Sequence, residues 1–130
     1  MVKAGDTIHN PLTGETFTFL QTAADTGGQL LQMEARIQAG RGLHVPPHVH
    51  PFQAMQFSIK QGKMKMLLAK DERVYSAGDT IHVPVGTFYN WSNVAEDDLV
   101  FVVEYRPAGE WEKIFESTCA LGRDQTVLSV

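Results

Sequence analysis

Apolar and polar residues alternate with a period of two along most of this chain, the signature of half-buried strands. Phe17 and Phe19 alternate with threonines. Leu31, Met33, Ala35 and Ile37 alternate with Gln32, Glu34 and Arg36. Met55, Phe57 and Ile59 alternate with Gln56 and Ser58, and Met64, Met66 and Leu68 share one face opposite Lys63 and Lys65. Leu99, Phe101, Val103 and Tyr105 form the last such run. Turn residues punctuate these runs at short intervals, at Asn10-Pro11, Gly27-Gly28, Gly40 to Gly42, Gln61-Gly62, Ala77 to Asp79, Val85-Gly86 and Asn93 to Asp98. Many short strands with hairpin spacing predict an all-β sandwich or barrel.

The tail breaks this rhythm. Pro107-Ala108-Gly109 stops the last strand, and Trp111, Ile114, Phe115 and Thr118 follow a helical period. Glu110 and Glu112 occupy the first turn, where the helix dipole favours acids, and Gly122 stands as a stop. The pattern predicts one C-terminal helix over 109–121, packed on the barrel. No repeat, low-complexity segment or linker divides the chain, so 1–130 reads as a single domain.

Composition narrows the possible functions. With 130 residues and 43% apolar content the chain can bury one core. A net charge of -4 argues against a partner held mainly by phosphate or anionic-lipid contacts, so neither nucleic acid nor membrane is expected. Lys60, Lys63 and Lys65 alternate with apolar residues and read as a solvated strand face. The single cysteine, Cys119, allows no disulfide framework and no Cys-x-x-Cys metal site, and reads as a small buried hydrophobe. No apolar signal segment opens the sequence and no run is long enough for a membrane helix, so the expected location is the cytoplasm.

Four of the five histidines lie between 44 and 82, and two form a His-x-His pair in PPHVHP. Residues two apart on a strand project from one face, so His48 and His50 can aim both imidazoles at one point. Gly42 stands before this pair and Gly62 after it, and a second block, GDTIHVPVGTFYNWSN, carries Gly78, Pro84, Gly86 and Asn93.

Together the two blocks resemble the cupin family. Its first motif reads glycine, five residues, His-x-His, three or four residues, glutamate, six residues, glycine. Its second reads glycine, five residues, Pro-x-Gly, two residues, histidine, three residues, asparagine. Gly42, His48, His50 and Gly62 match the first, over about 42–62, and Gly78, Pro84, Gly86 and Asn93 match the second, over about 78–93. PLTGETFTFL and RPAGEWEKIFE also resemble a group of single-domain bacterial cupins. The resemblance implies a double-stranded β-helix, a jelly-roll barrel of the RmlC-like kind, often a homodimer, with a site inside the barrel.

Two positions depart from the pattern. The glutamate falls at Met55 and the second-motif histidine at Tyr89, so of four usual metal ligands His48 and His50 survive. Two histidines alone hold a first-row metal poorly, a thioether is a soft ligand, and a phenol with a pKa near ~10 ligates only at a cost. Gln53 shares parity with Met55 and offers a neutral amide oxygen as a third donor. By strand parity Met55, Phe57, Met64, Met66, Tyr89 and Trp91 face the lumen, giving an apolar pocket with few polar groups.

The leading expectation is therefore a small-molecule-binding barrel with no resident cofactor, in which His48 and His50 meet a polar end of the ligand. The alternative is an enzyme of the dioxygenase or isomerase type. It would hold Fe, Mn, Ni or Zn with His48 and His50 plus Gln53 or Tyr89, or work without metal through His50 as base and Tyr89 as acid. His82 falls out of register with the inward pair Ile81 and Val83 and is expected outside. His9 reads as an exposed loop residue and Glu96-Asp97-Asp98 as a solvated turn. A homodimer is expected, with strands such as Leu30–Ile37 pairing across a two-fold axis.

Overall fold

The computed structural model describes residues 3–11, 14–39, 53–94 and 96–109. His44, His48, His50 and all of the expected helix beyond its first residue, Gly109, lie outside these residues. Nine strands are described: β1 Thr7–Asn10, β2 Glu15–Gln21, β3 Leu31–Ile37, β4 Ala54–Gln61, β5 Lys63–Leu68, β6 Asp71–Ser76, β7 Thr80–Val83, β8 Tyr89–Asn93 and β9 Leu99–Arg106. One short helix, α1 Ala23–Thr26, links β2 to β3.

The strands form two antiparallel sheets. The larger has the order β1-β2-β3-β9-β4-β7 and the smaller β6-β5-β8. Alternation decides which residues go inside. Phe17 and Phe19 of β2, Met33 and Ala35 of β3, Phe57 and Ile59 of β4, and Phe101 and Val103 of β9 are buried from the larger sheet. Met64, Met66 and Tyr89 are buried from the smaller, and all belong to one core. Each large apolar side chain taken from water contributes about 1.5–3 kcal/mol, so this shared interior is what holds the two sheets together. Register fits the same logic: Met55 faces Val83 on one side and Tyr105 on the other, and Phe57 faces Ile81 and Val103.

The turns follow local chemistry. Thr22 caps α1, its Oγ1 accepting from the Asp25 N–H at 3.3 Å while the Asp25 carboxylate accepts from the Thr22 N–H at 3.0 Å. Gly62, at φ 84°, turns β4 into β5 beneath the β8–β9 connection. A Cβ there would come within 2.8 Å of the Asp98 carbonyl oxygen, so this crossing needs glycine for both space and conformation.

Three expectations are corrected. β3 is paired with β2 along one edge and β9 along the other, so Leu30–Ile37 has no edge left for a two-fold partner. His9 is exposed but sits on β1, opposite Thr16, rather than in a loop. Asp98 is half-buried and engaged: its Oδ1 accepts from the Ala39 N–H at 2.8 Å and its Oδ2 from Arg36 at 3.1 Å. These two hydrogen bonds lower its pKa below the ordinary carboxylate value. Among the described residues no helix is long and apolar enough to cross a membrane.

Candidate functional site

Among the described residues the interior of the barrel carries polar groups at Tyr89, Tyr105 and Glu15, with the buried Asn10 in register with Glu15. Tyr89 opens β8, where the backbone enters the smaller sheet opposite Leu68, and only 2% of it is exposed. Burial pushes its phenol well above the usual value, so the hydroxyl is neutral across the physiological range and able both to donate and to accept a hydrogen bond. Tyr105, near the end of β9, is the register mate of Met55 and is 5% exposed. Its pKa is also held well above the phenol range, by burial first and then by the neighbouring Tyr89 and the Glu15 carboxylate. Glu15 shares the inward parity of Phe17 and Phe19 on β2 and is 8% exposed.

Around these groups lies an aromatic chain crossing from one sheet to the other. The Tyr89 and Phe57 ring centroids stand 6.1 Å apart, Phe57 and Phe101 5.5 Å, and Phe101 and Trp91 5.2 Å with an edge-on approach. Such tilted and edge-to-face contacts add to the area term and fix ring orientation. Met55, Met64 and Met66 are buried in the same core, with Trp91 packed against it half-buried. Gln53, just before β4, is half-buried. The structure thus gathers Met55, Phe57, Met64, Met66, Tyr89 and Trp91 on the barrel's inner faces, with Gln53 where β4 begins.

Tyr105, Glu15 and Phe101 join this set without having been singled out from the sequence. A signal existed for each. Tyr105 and Phe101 stand on the inward parity of the last alternating run, and Glu15 on that of the Phe17-Phe19 run. His82 is exposed on β7, as its register with Ile81 and Val83 implies.

No family model matches the sequence, and no curated protein matches it either. Solved structures do match in shape. KdgF from a Halomonas species superposes with a TM-score of 0.68 at 18% identity, covering 82% of this chain and 92% of that one. An RmlC-like cupin from Shewanella frigidimarina gives 0.68 at 16% identity, covering 86% and 94%. A predicted oxalate decarboxylase from Thermotoga maritima gives 0.67 at 17% identity, covering 82% and 98%.

This is the cupin fold.

Within the cupin barrel, the two departures from the family's ligand pattern can now be judged by their surroundings. Met55 is a buried thioether packed in the core, and a thioether is a soft donor, poorly matched to the hard ions that a carboxylate would bind. Tyr89 would have to ionise to ligate, and its burial disfavours the phenolate. Met55 and Tyr89 therefore do not fit the metal that the cupin pattern implies. What they do supply is apolar surface beside a neutral hydroxyl.

Proposed function

We propose that this cupin barrel binds a small, largely apolar or aromatic molecule in its interior, without a resident metal. The observation that carries the reading is the exchange at Met55 and Tyr89. Where the family pattern has a carboxylate and an imidazole, this chain has a core thioether and a phenol kept neutral by burial. The walls are Met55, Phe57, Met64, Met66 and Trp91, which suit flat or irregular apolar groups. Tyr89 and Tyr105 meet a polar end of the ligand, and His48 and His50 add hydrogen bonds from the neighbouring motif. The fold itself does not choose an activity, because cupin-shaped neighbours range from a predicted oxalate decarboxylase to a protein described by its fold alone.

Metal content decides between this reading and a metal enzyme. Untagged protein prepared without chelator is measured by ICP-MS beside His48→Ala. Metal-free protein that gains no melting temperature from added Fe, Mn, Ni or Zn supports the binding reading. Near-stoichiometric metal that disappears in His48→Ala overturns it and puts the dioxygenase- or isomerase-type reading first. In the metal-free case, a thermal-shift panel of aromatic carboxylic acids follows, read against Tyr89→Phe. Loss of the Tyr89 hydroxyl is expected to weaken a true ligand by about tenfold, the worth of one good hydrogen bond in a buried site.

A further inference from the structure

The outer face of the larger sheet holds a cleft of about 270 Å³, turned away from the barrel interior. It is lined by His9, Gly14, Thr16, Arg36, Gln38 and Asp98. Three of these are in register across adjacent strands: His9 of β1 faces Thr16 of β2, and Thr16 faces Arg36 of β3. Neighbouring strands lie about 4.8 Å apart, so two long side chains flank one short one across roughly 10 Å. The short Thr16 is the floor, and Gly14 contributes no side chain to block the end.

Both walls are fastened before any ligand arrives. His9 Nδ1 lies 2.8 Å from Thr16 Oγ1, which sets the plane of the ring. Arg36 gives Nη1 to the Asp98 carboxylate at 3.1 Å. Its Nη2 and Nε have no partner among the described residues and remain free to donate. Donors held in place this way lose less freedom on binding than loose surface side chains do.

The geometry points to a phosphate-binding cleft, taking the phosphate group of a small phosphorylated molecule. A tetrahedral oxyanion offers oxygens in three directions, and the row offers three donors. In the tautomer with its hydrogen on Nε2, the His9 ring accepts at Nδ1 from the Thr16 hydroxyl and aims Nε2–H at the anion. Nη2 and Nε of Arg36 supply the other two. Asp98 opposes an anion by its charge, and Glu34 stands two residues along β3 on the same outer face. The Asp98 carboxylate, however, is already bonded to Arg36 and to the Ala39 N–H, so directed hydrogen bonds rather than net charge govern recognition. A planar carboxylate, with two oxygens, satisfies fewer of these donors than phosphate does.

The test is an NMR titration of the full-length protein with inorganic phosphate, and separately with acetate at matched ionic strength. Saturable shifts confined to His9, Thr16, Arg36 and Gln38 are expected. His9→Gln and Arg36→Gln should each weaken phosphate binding by about tenfold or more, as removing a charge-assisted hydrogen bond does. Thr16→Val keeps the shape and strand preference, so it should lose affinity while keeping the wild-type spectrum elsewhere. Shifts that never saturate, that scatter over lysines remote from the cleft, or that persist in all three variants would overturn the proposal. Acetate binding as tightly as phosphate would overturn the choice of ligand.

Discussion

Tyr89 and Tyr105 are two of the three tyrosines, and both are held above the ordinary phenol pKa by burial. A raised folded-state pKa contributes stability that is complete below the unfolded value, near ~10, and is lost as pH climbs through the folded value. Alkaline unfolding is therefore expected to set in above about pH 10. Absorbance at the phenolate band should rise for these two tyrosines only together with the loss of strand circular dichroism. Asp98 shows the opposite sign. Its lowered pKa contributes stability above the unfolded value, near ~3.9, which disappears as pH falls through the folded value. Asp98→Asn should melt below wild type at neutral pH, with the gap closing in strong acid. The sequence read differently at these residues. Tyr89 was legible because a motif position marked it, whereas Asp98 sat in an acidic turn that looks solvated, and only the fold brings Arg36 and Ala39 to it.

Elements with one buried face were legible, because alternation is visible wherever the core claims every second residue. β4, β5 and β9 follow their runs, down to Tyr105 at the inward position. β6 was missed for the same physical reason: five of its six residues are exposed, so pairing with β5, not burial, makes it a strand. β1 is a four-residue edge strand with too short a pattern to register. α1 was missed because one capped turn carries no periodicity, although Thr22 and Asp25 spell its capping box. The β4–β5 turn yields a prediction at this scale. Gly62→Ala places a methyl 2.8 Å from the Asp98 carbonyl oxygen at a positive φ, so urea denaturation should register a loss of about 1–3 kcal/mol. An alanine at Gly78, also at positive φ but with nothing within 4 Å, separates the conformational cost from the clash and should cost less.

The whole molecule is organised by contacts between distant parts of the chain. In the larger sheet β9 lies between β3 and β4, and the Gln32–Glu104 hydrogen bond of 2.8 Å joins residues 72 positions apart. Topologies of this kind fold slowly, on the order of milliseconds to seconds, because loop closure precedes the contacts that reward it. Stopped-flow refolding followed by Trp fluorescence should fall in that range, and a microsecond phase carrying the full amplitude would contradict the expectation. Barrel class could be inferred from strand spacing and the paired motifs, but this strand order could not, since alternation says which face is buried and nothing about which strand lies beside it. The position of β9 has a further consequence, one that concerns synthesis. A ribosome delivers β1, β2 and β3 as a three-stranded unit and β4 and β7 as a separate pair, and the two cannot join in this sheet order until residues 99–106 have left the exit tunnel. At about 5–20 residues per second the emerging chain keeps the open edge of β3 for several seconds. Any message cut short before that strand yields two unjoined half-sheets with bare hydrophobic faces, a substrate for chaperones and proteases rather than a smaller barrel.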